Sequence, residues 1–412
     1  MSRFLDATDE STDGKALRDI LIDKLVEQGI VRTPEVETAM RAIPREAFLP
    51  GVPLEKVYAD DIVRLRFDGQ GKCISSASAP WLVAAMLEQA RLRPGHRVLE
   101  IGTATGINAR YLGELVGDTG QVTTVEIMPD LIDGAQQGLE ATGARNVTVV
   151  PGDGEYGAAD AAPFDSIIVT AQAPDLATAW LDQLKRTGSW LIVPLTLRGL
   201  SRCFTFEPEG DHWIATTMQQ CGFVAMQGDG AKSLRTIELG PGGVELRVDD
   251  DQPADAAALI AALAGPAHRV RTGVPLAAGE PALAFLDMWL AQRLEVFGSF
   301  LNGGPDVDCD GPLGRTVPFG NAATWDESSI SYVALRRSKD EERCYELGVW
   351  GHGPNRERLA DLLACEVRAW DRDLRGGPEP TVRAYRAGTP EHQLVDGRVI
   401  RRRNTLMVMS RT

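Results

Sequence analysis

Closely spaced cysteines are missing from this 412-residue chain. Cys73, Cys203, Cys221, Cys309, Cys344 and Cys365 are scattered with no CxxC pair, which argues against a zinc cluster and a secreted disulfide framework. Positive charge is short as well: 43 Lys and Arg stand against 58 Asp and Glu, a formal net charge of −15. So acidic a chain gains nothing from counterion release on a phosphate backbone, and no nucleic-acid partner is expected. Apolar runs fall short of a membrane span, and Met1 to Lys15 is polar, without an apolar signal segment. The expectation is a soluble, cytoplasmic protein with no membrane partner. The five histidines are isolated, so no metal is expected. The one cationic run, Arg401-Arg402-Arg403, reads as a solvated strand face or edge.

What is present suits a two-domain globular protein, with hydrophobic residues at 43%. Helical spacing runs from Leu17 to Gly29, and Thr33-Pro34 reads as the cap and first turn of a second helix. From Gly95 the pattern becomes short β-branched runs separated by helical stretches: 97–101, 122–125, 147–150, 166–169 and 189–193. Continuous apolar strands alternating with helices predict a doubly wound α/β domain with a parallel sheet buried on both faces. After Leu200 the rhythm breaks into shorter strands with helical patterns at 254–263 and 359–370, and Gly303–Gly320 reads as loop. The expected division is 1–230 and 231–412, the second part a mixed α+β domain. Its Trp289, Phe297, Phe300, Trp325, Trp350 and Trp370 are expected mainly in the core.

The sharpest local signal is Val98-Leu99-Glu100-Ile101-Gly102-Thr103-Ala104-Thr105-Gly106, a buried strand running into a glycine turn and then a helix. Glycines there let backbone approach a ligand at the carboxyl end of the strand. The next strand ends in Glu126, at the spacing where an acid meets ribose hydroxyls. The following one ends in Gly152-Asp153-Gly154. Singly, Glu126 or Asp153 reads more often as a turn or cap; with the glycine turn, at three consecutive strand ends, they point to a nucleotide-like ligand. The turn lacks GxGxxG spacing, which disfavours NAD.

VLEIGTATG, VTTVEIMPDL, NVTVVPGDG and APFDSIIVTAQAP resemble the successive motifs of class I S-adenosylmethionine methyltransferases of the protein-isoaspartate subgroup. Upstream, Ile43–Phe48, Val57–Asp60 and Ser75–Trp81 resemble the segments that precede the cofactor domain in isoaspartyl methyltransferases. The resemblance covers residues 17 to 200. It implies S-adenosylmethionine as cofactor, with Glu100, Gly102, Thr103 and Gly106 framing its methionine part. Glu126 would then hold the ribose, and Asp153 with Gly154 the adenine. It also implies that Ser78 lines the acceptor-carboxylate pocket, with Asp60 as a further site residue. Read from the residues alone, Ser78 is equally a helix N-cap, and Tyr58 and Asp60 equally packing residues. Ala104 departs from the family's glycine, which is tolerable at negative φ.

A carboxylate acceptor is ionised at neutral pH and needs no general base; holding it in line with a sulfonium methyl is catalysis by proximity and orientation. Two features depart from a repair enzyme. The stretch from Asp61 to Cys73 is several residues longer than usual and reads as a hairpin turning at Asp68-Gly69. The C-terminal half is nearly as long as the catalytic part. With 202–206, 220–228 and the Ser-Ala-Ser-Ala-Pro segment, these features resemble an extended isoaspartyl-type branch found with lanthipeptides, lasso peptides and graspetides. That resemblance implies methylation of an aspartate in a modified precursor peptide, with later closure to an aspartimide. General isoaspartyl repair is the alternative. A catalytically idle peptide-binding role is opposed by the intact Glu126, Asp153 and Ser78.

Overall fold

The computed structural model describes residues 12–232, 234–276, 282–302, 307–309, 311–317, 319–338 and 345–410. Cys344, residues 303–306 of the expected loop and the first eleven residues lie outside the described residues. The chain forms two compact units, one of 1–195, 202–232 and 403–405, the other of 196–201, 233–402 and 406–412. The main crossing at 232/233 falls two residues from the expected boundary. The small exchanges at 196–201 and 403–405 had no sequence signal.

In the first unit, α1 (Thr12–Glu27), α2 (Pro34–Ala42) and α3 (Leu54–Val57) precede a hairpin of β1 (Val63–Phe67) and β2 (Cys73–Ala77). Thr33 caps α2 through its side chain, which accepts from Val36 N at 3.4 Å, and Pro34 opens the first turn. After α4 (Pro80–Ala90) the alternation begins: β3 (Arg97–Ile101), α5 (Ile107–Val116), β4 (Gln121–Glu126), α6 (Pro129–Ala141), β5 (Val147–Pro151), β6 (Ser166–Val169), α7 (Thr178–Gln183) and β7 (Trp190–Leu197). An antiparallel pair, β8 (Leu200–Glu209) and β9 (His212–Gln220), follows. The strand order is β9-β8-β7-β6-β3-β4-β5, parallel from β7 to β5. The order reverses between β3 and β6, so the carboxyl end of β3 faces the crevice where open α/β sheets bind ligands. This is the class I S-adenosylmethionine methyltransferase fold.

The second unit is richer in strands. β10 (Arg235–Gly240), β11 (Val244–Val248), α8 (Ala256–Leu263), β12 (His268–Leu276), α9 (Ala282–Arg293), β13 (Gly298–Leu301), β14 (Asn321–Trp325), β15 (Ile330–Arg337), β16 (Tyr345–His352) and α10 (Arg356–Asp373) succeed one another. Their strands form one antiparallel sheet in the order β10-β11-β13-β14-β15-β16-β12. β17 (Thr381–Arg386), β18 (Arg398–Arg401) and β19 (Thr405–Ser410) lie side by side with β19 in the middle. Helix α9 has no counterpart in the sequence reading. Leu286, Asp287, Met288, Trp289, Leu290 and Ala291 are all buried, so no polar face marks its period. All six aromatics expected mainly in the core are buried and offer no exposed surface.

Arg402 corrects the reading of the arginine run. Its side chain is only 11% exposed and its guanidinium pairs with buried Asp249 at 2.8 Å. Only Arg401 and Arg403 are open to solvent.

Candidate active site

A cleft opens at the carboxyl ends of β3 and β4, where open α/β sheets bind ligands. Its walls come from the β3–α5 turn, the end of β4, strand β2 with Ser78, and the segment Phe223–Gln227. Ser78, Glu100, Gly102, Thr103, Glu126 and Gly154 line it.

Gly102 holds the turn open. Its φ is +96°, and a Cβ there would lie 2.6 Å from Thr170 Oγ1. At Gly154 a Cβ would meet Ile101 at 2.4 Å, so only glycine keeps that wall thin. Glu126 accepts from Ala104 N at 2.8 Å and Met128 N at 2.9 Å, which fixes its carboxylate at the end of β4. Thr103 and Thr124 share a 2.6 Å hydroxyl contact, and Thr124 donates to Glu100 at 2.5 Å. Asn108, on the first turn of α5, donates to the other Glu100 oxygen at 2.7 Å.

Burial pushes the Glu100 carboxyl up to about 7, with the Thr124 and Asn108 donors pulling it back and the Glu126 charge adding to the rise. The folded protein therefore holds a proton there that the unfolded chain releases at ordinary carboxyl pH. Between pH 4.5 and 7 the native state binds more protons, so this group's contribution to stability falls as pH rises through that window. Thermal melts of the ligand-free protein should show this fall, and Glu100→Gln should flatten it. An identical pH profile in the variant would refute the assignment.

Three expected site residues lie elsewhere. Asp60 does not line the cleft: it accepts from Trp81 N at 2.9 Å and from Lys24 at 3.2 Å, capping α4 from outside. The alternative reading of Ser78 as only an N-cap does not hold, since Asp60 takes the Trp81 N–H. The α4 N-cap position is Ala79, which leaves the Ser78 side chain to the cleft. Gly106, at φ +87°, is outside the lining and faces α6, where a Cβ would come within 3.2 Å of Ala135. Asp153 is also outside the lining. Its oxygens accept from Glu155 N at 2.9 Å and Asp229 N at 2.6 Å, which anchors the chain just beyond the lining residues Met226 and Gln227.

Ala104 sits at φ +48°, not at negative φ, so it carries the left-handed strain that a glycine would lack. Ala104→Gly should raise stability by about 1 kcal/mol in chemical denaturation. A loss of stability would contradict this reading. Sequence reasoning also missed Asn108, Thr170 and the Phe223–Gln227 wall. Thr170 and Phe223–Gln227 fall inside segments that carry the family resemblance, though without an assigned role, and Asn108 is a polar residue in the first turn after the glycine turn.

The arrangement fits S-adenosylmethionine. A carboxylate at the end of β4 suits ribose hydroxyls, with the apolar Ile127, Met128 and Met226 beside it for an adenine ring. The turn of 102–105 and the Glu100 acid suit the amino-acid end. The cofactor is S-adenosylmethionine.

The model of the protein-L-isoaspartate(D-aspartate) O-methyltransferase family matches residues 16–231, more than half of the chain. The chain belongs to that family. A protein-L-isoaspartate O-methyltransferase of Ignicoccus hospitalis is 43% identical over 175 residues, 42% of this chain and 80% of the relative. One from Hyperthermus butylicus is 37% identical over 218 residues, 51% of this chain and 88% of the relative. A solved protein-L-isoaspartate O-methyltransferase overlays with 89% of this chain and 96% of its own, at 21% identity and a TM-score of 0.49. The family model ends at residue 231, within the first unit. Among the described residues, no helix is long and apolar enough to cross a membrane, and no cluster of His, Cys, Asp and Glu suits a metal ion.

Proposed function

We propose that this chain methylates the free carboxylate of an isoaspartyl residue in a polypeptide. The observation that carries it is a serine-rich wall, Ser75, Ser76 and Ser78, in the same cleft as the cofactor turn. Bound S-adenosylmethionine supplies a methyl group on a sulfonium centre. Ser78 offers a hydroxyl to one carboxylate oxygen, so that the other is turned toward the methyl. The Ser78 carbonyl accepts from buried Arg45 at 2.9 Å, which holds this part of the wall in place. No base is needed, since the acceptor is ionised above about pH 5.

A second reading has one structural feature in its favour, the long β1–β2 hairpin whose second strand lines the cleft. It is methylation of an aspartate side chain in a ribosomally made, modified peptide. The following backbone nitrogen then attacks the ester carbonyl, methanol leaves, and an aspartimide remains. Mass spectrometry separates the two. An isoaspartyl peptide gaining one methyl supports the first reading. Methylation followed by net loss of water only on a constrained aspartyl peptide would replace it with the second.

Ser78→Ala should lower kcat about tenfold or more while cofactor affinity stays within twofold of wild type. Equal loss of both, measured by steady-state kinetics and calorimetry, would remove Ser78 from the acceptor role.

A further inference from the structure

The hairpin puts an unspent cation beside the acceptor wall. In β1–β2, Val63 pairs with Ala77 and Arg64 with Ser76. Val63 packs against the core and Ala77 is buried in it, so Arg64 and Ser76 project from the opposite face as cross-strand neighbours. Ser76 lines the cleft. An arginine stem at the neighbouring position therefore reaches the rim of the acceptor end. Arg64 is exposed and forms no ion pair among the described residues, whereas Arg66 is held by Asp130 at 2.5 Å.

Charge points to the occupant. Residues 63–77 carry Arg64, Arg66 and Lys72 against the single acid Asp68, in a chain whose net charge is −15. A cationic hairpin at the cleft of an acidic protein attracts what the rest of the surface repels. Phe67, 55% exposed at the end of β1, adds an apolar contact on the same hairpin. We infer that Arg64 is a specificity-determining residue that selects polypeptides with an acidic side chain next to the methylated residue. This rests on the proposed carboxyl methylation of a polypeptide.

The test measures binding apart from turnover. Fluorescein-labelled isoaspartyl peptides with Glu or with Lys on either side of the acceptor are titrated against the full chain saturated with S-adenosylhomocysteine. Wild type should bind the Glu-flanked peptide about threefold to fivefold more tightly, the size of an exposed ion pair, and the preference should shrink at 0.5 M salt. Arg64→Glu should reverse the order, and Arg64→Gln should abolish it, with melting temperature and S-adenosylhomocysteine affinity unchanged in both. Equal binding of the two peptides by wild type, or a parallel weakening of both in Arg64→Glu, would overturn the inference. A parallel methylation assay judges the activity separately: bound but unmethylated peptides would refute the function while leaving the selectivity standing.

Discussion

Gly102→Ala is expected to destabilise the first unit by about 2–4 kcal/mol and to weaken S-adenosylmethionine binding at least about tenfold. Two effects add. The backbone at φ +96° is one that L side chains rarely adopt, and the new Cβ would lie 2.6 Å from Thr170 Oγ1. That oxygen cannot retreat easily, because it is held 2.9 Å from the Ile101 carbonyl and 2.7 Å from that of Gly102. Relief therefore has to come from the turn itself, whose residues line the cleft. Gly134→Ala is the control: this glycine is inside α6 with nothing within 4 Å of its would-be Cβ. It should be neutral or gain up to about 1 kcal/mol from helix propensity. Denaturant melts and calorimetric titration of both variants read the contrast. Equal behaviour of the two would mean that the Gly102 conformation does not matter.

Asp249→Ala should destabilise the second unit by about 3 kcal/mol or more. The Asp249 side chain is only 7% exposed, and its carboxylate accepts from Arg402 at 2.8 Å and from Arg198 N at 3.0 Å. Burial pushes this carboxyl up, and the Arg402 charge pulls it back down. Deleting it would leave Arg402 buried without its counter-charge. The Thr196 carbonyl, which accepts from the same guanidinium at 3.0 Å, carries no charge to replace it. Asp249→Asn retains an acceptor and should lose less. A change below about 0.5 kcal/mol in Asp249→Ala would show the pair to be solvent-screened after all.

The local chemistry of the first unit was legible because each signal was short in range. Strands β3 to β7 announced themselves as β-branched runs, and the β3–α5 turn by its glycines. Glu126 and Ser78 fall in the cleft because strand ends and a helix start place them there. The β1–β2 hairpin was expected to turn at Asp68-Gly69. Its link instead runs from Asp68 to Lys72, with the left-handed residue at Gly71 (φ +79°) and Asp68 Oδ1 accepting from Gln70 and Lys72 N at 2.9 Å each.

Other assignments depended on what met the residue in space. Asp60 and Asp153 look like site acids along the chain, yet backbone N–H groups distant in sequence, at Trp81 and Asp229, take up their charge. Gly106 stands against Ala135 of α6, a neighbour 29 positions on. Ala104 was pressed to φ +48° by a turn that the residue type alone does not favour. Helix α9 had no amphipathic stripe to betray it, because its residues 286–291 are buried all round.

By itself, then, the amino-acid order determined the fold class and the general place of the site, since strand periodicity and the glycine turn are encoded within a few residues of one another. The identity of the cofactor came from the resemblance of those motifs to the methyltransferase family. The tertiary structure decided which acids remain facing the cleft, which glycines line it, and which arginine is buried. Those outcomes turn on partners brought together from 21 to 153 positions away, where hydrogen bonding and desolvation, not local propensity, settle each side chain's role.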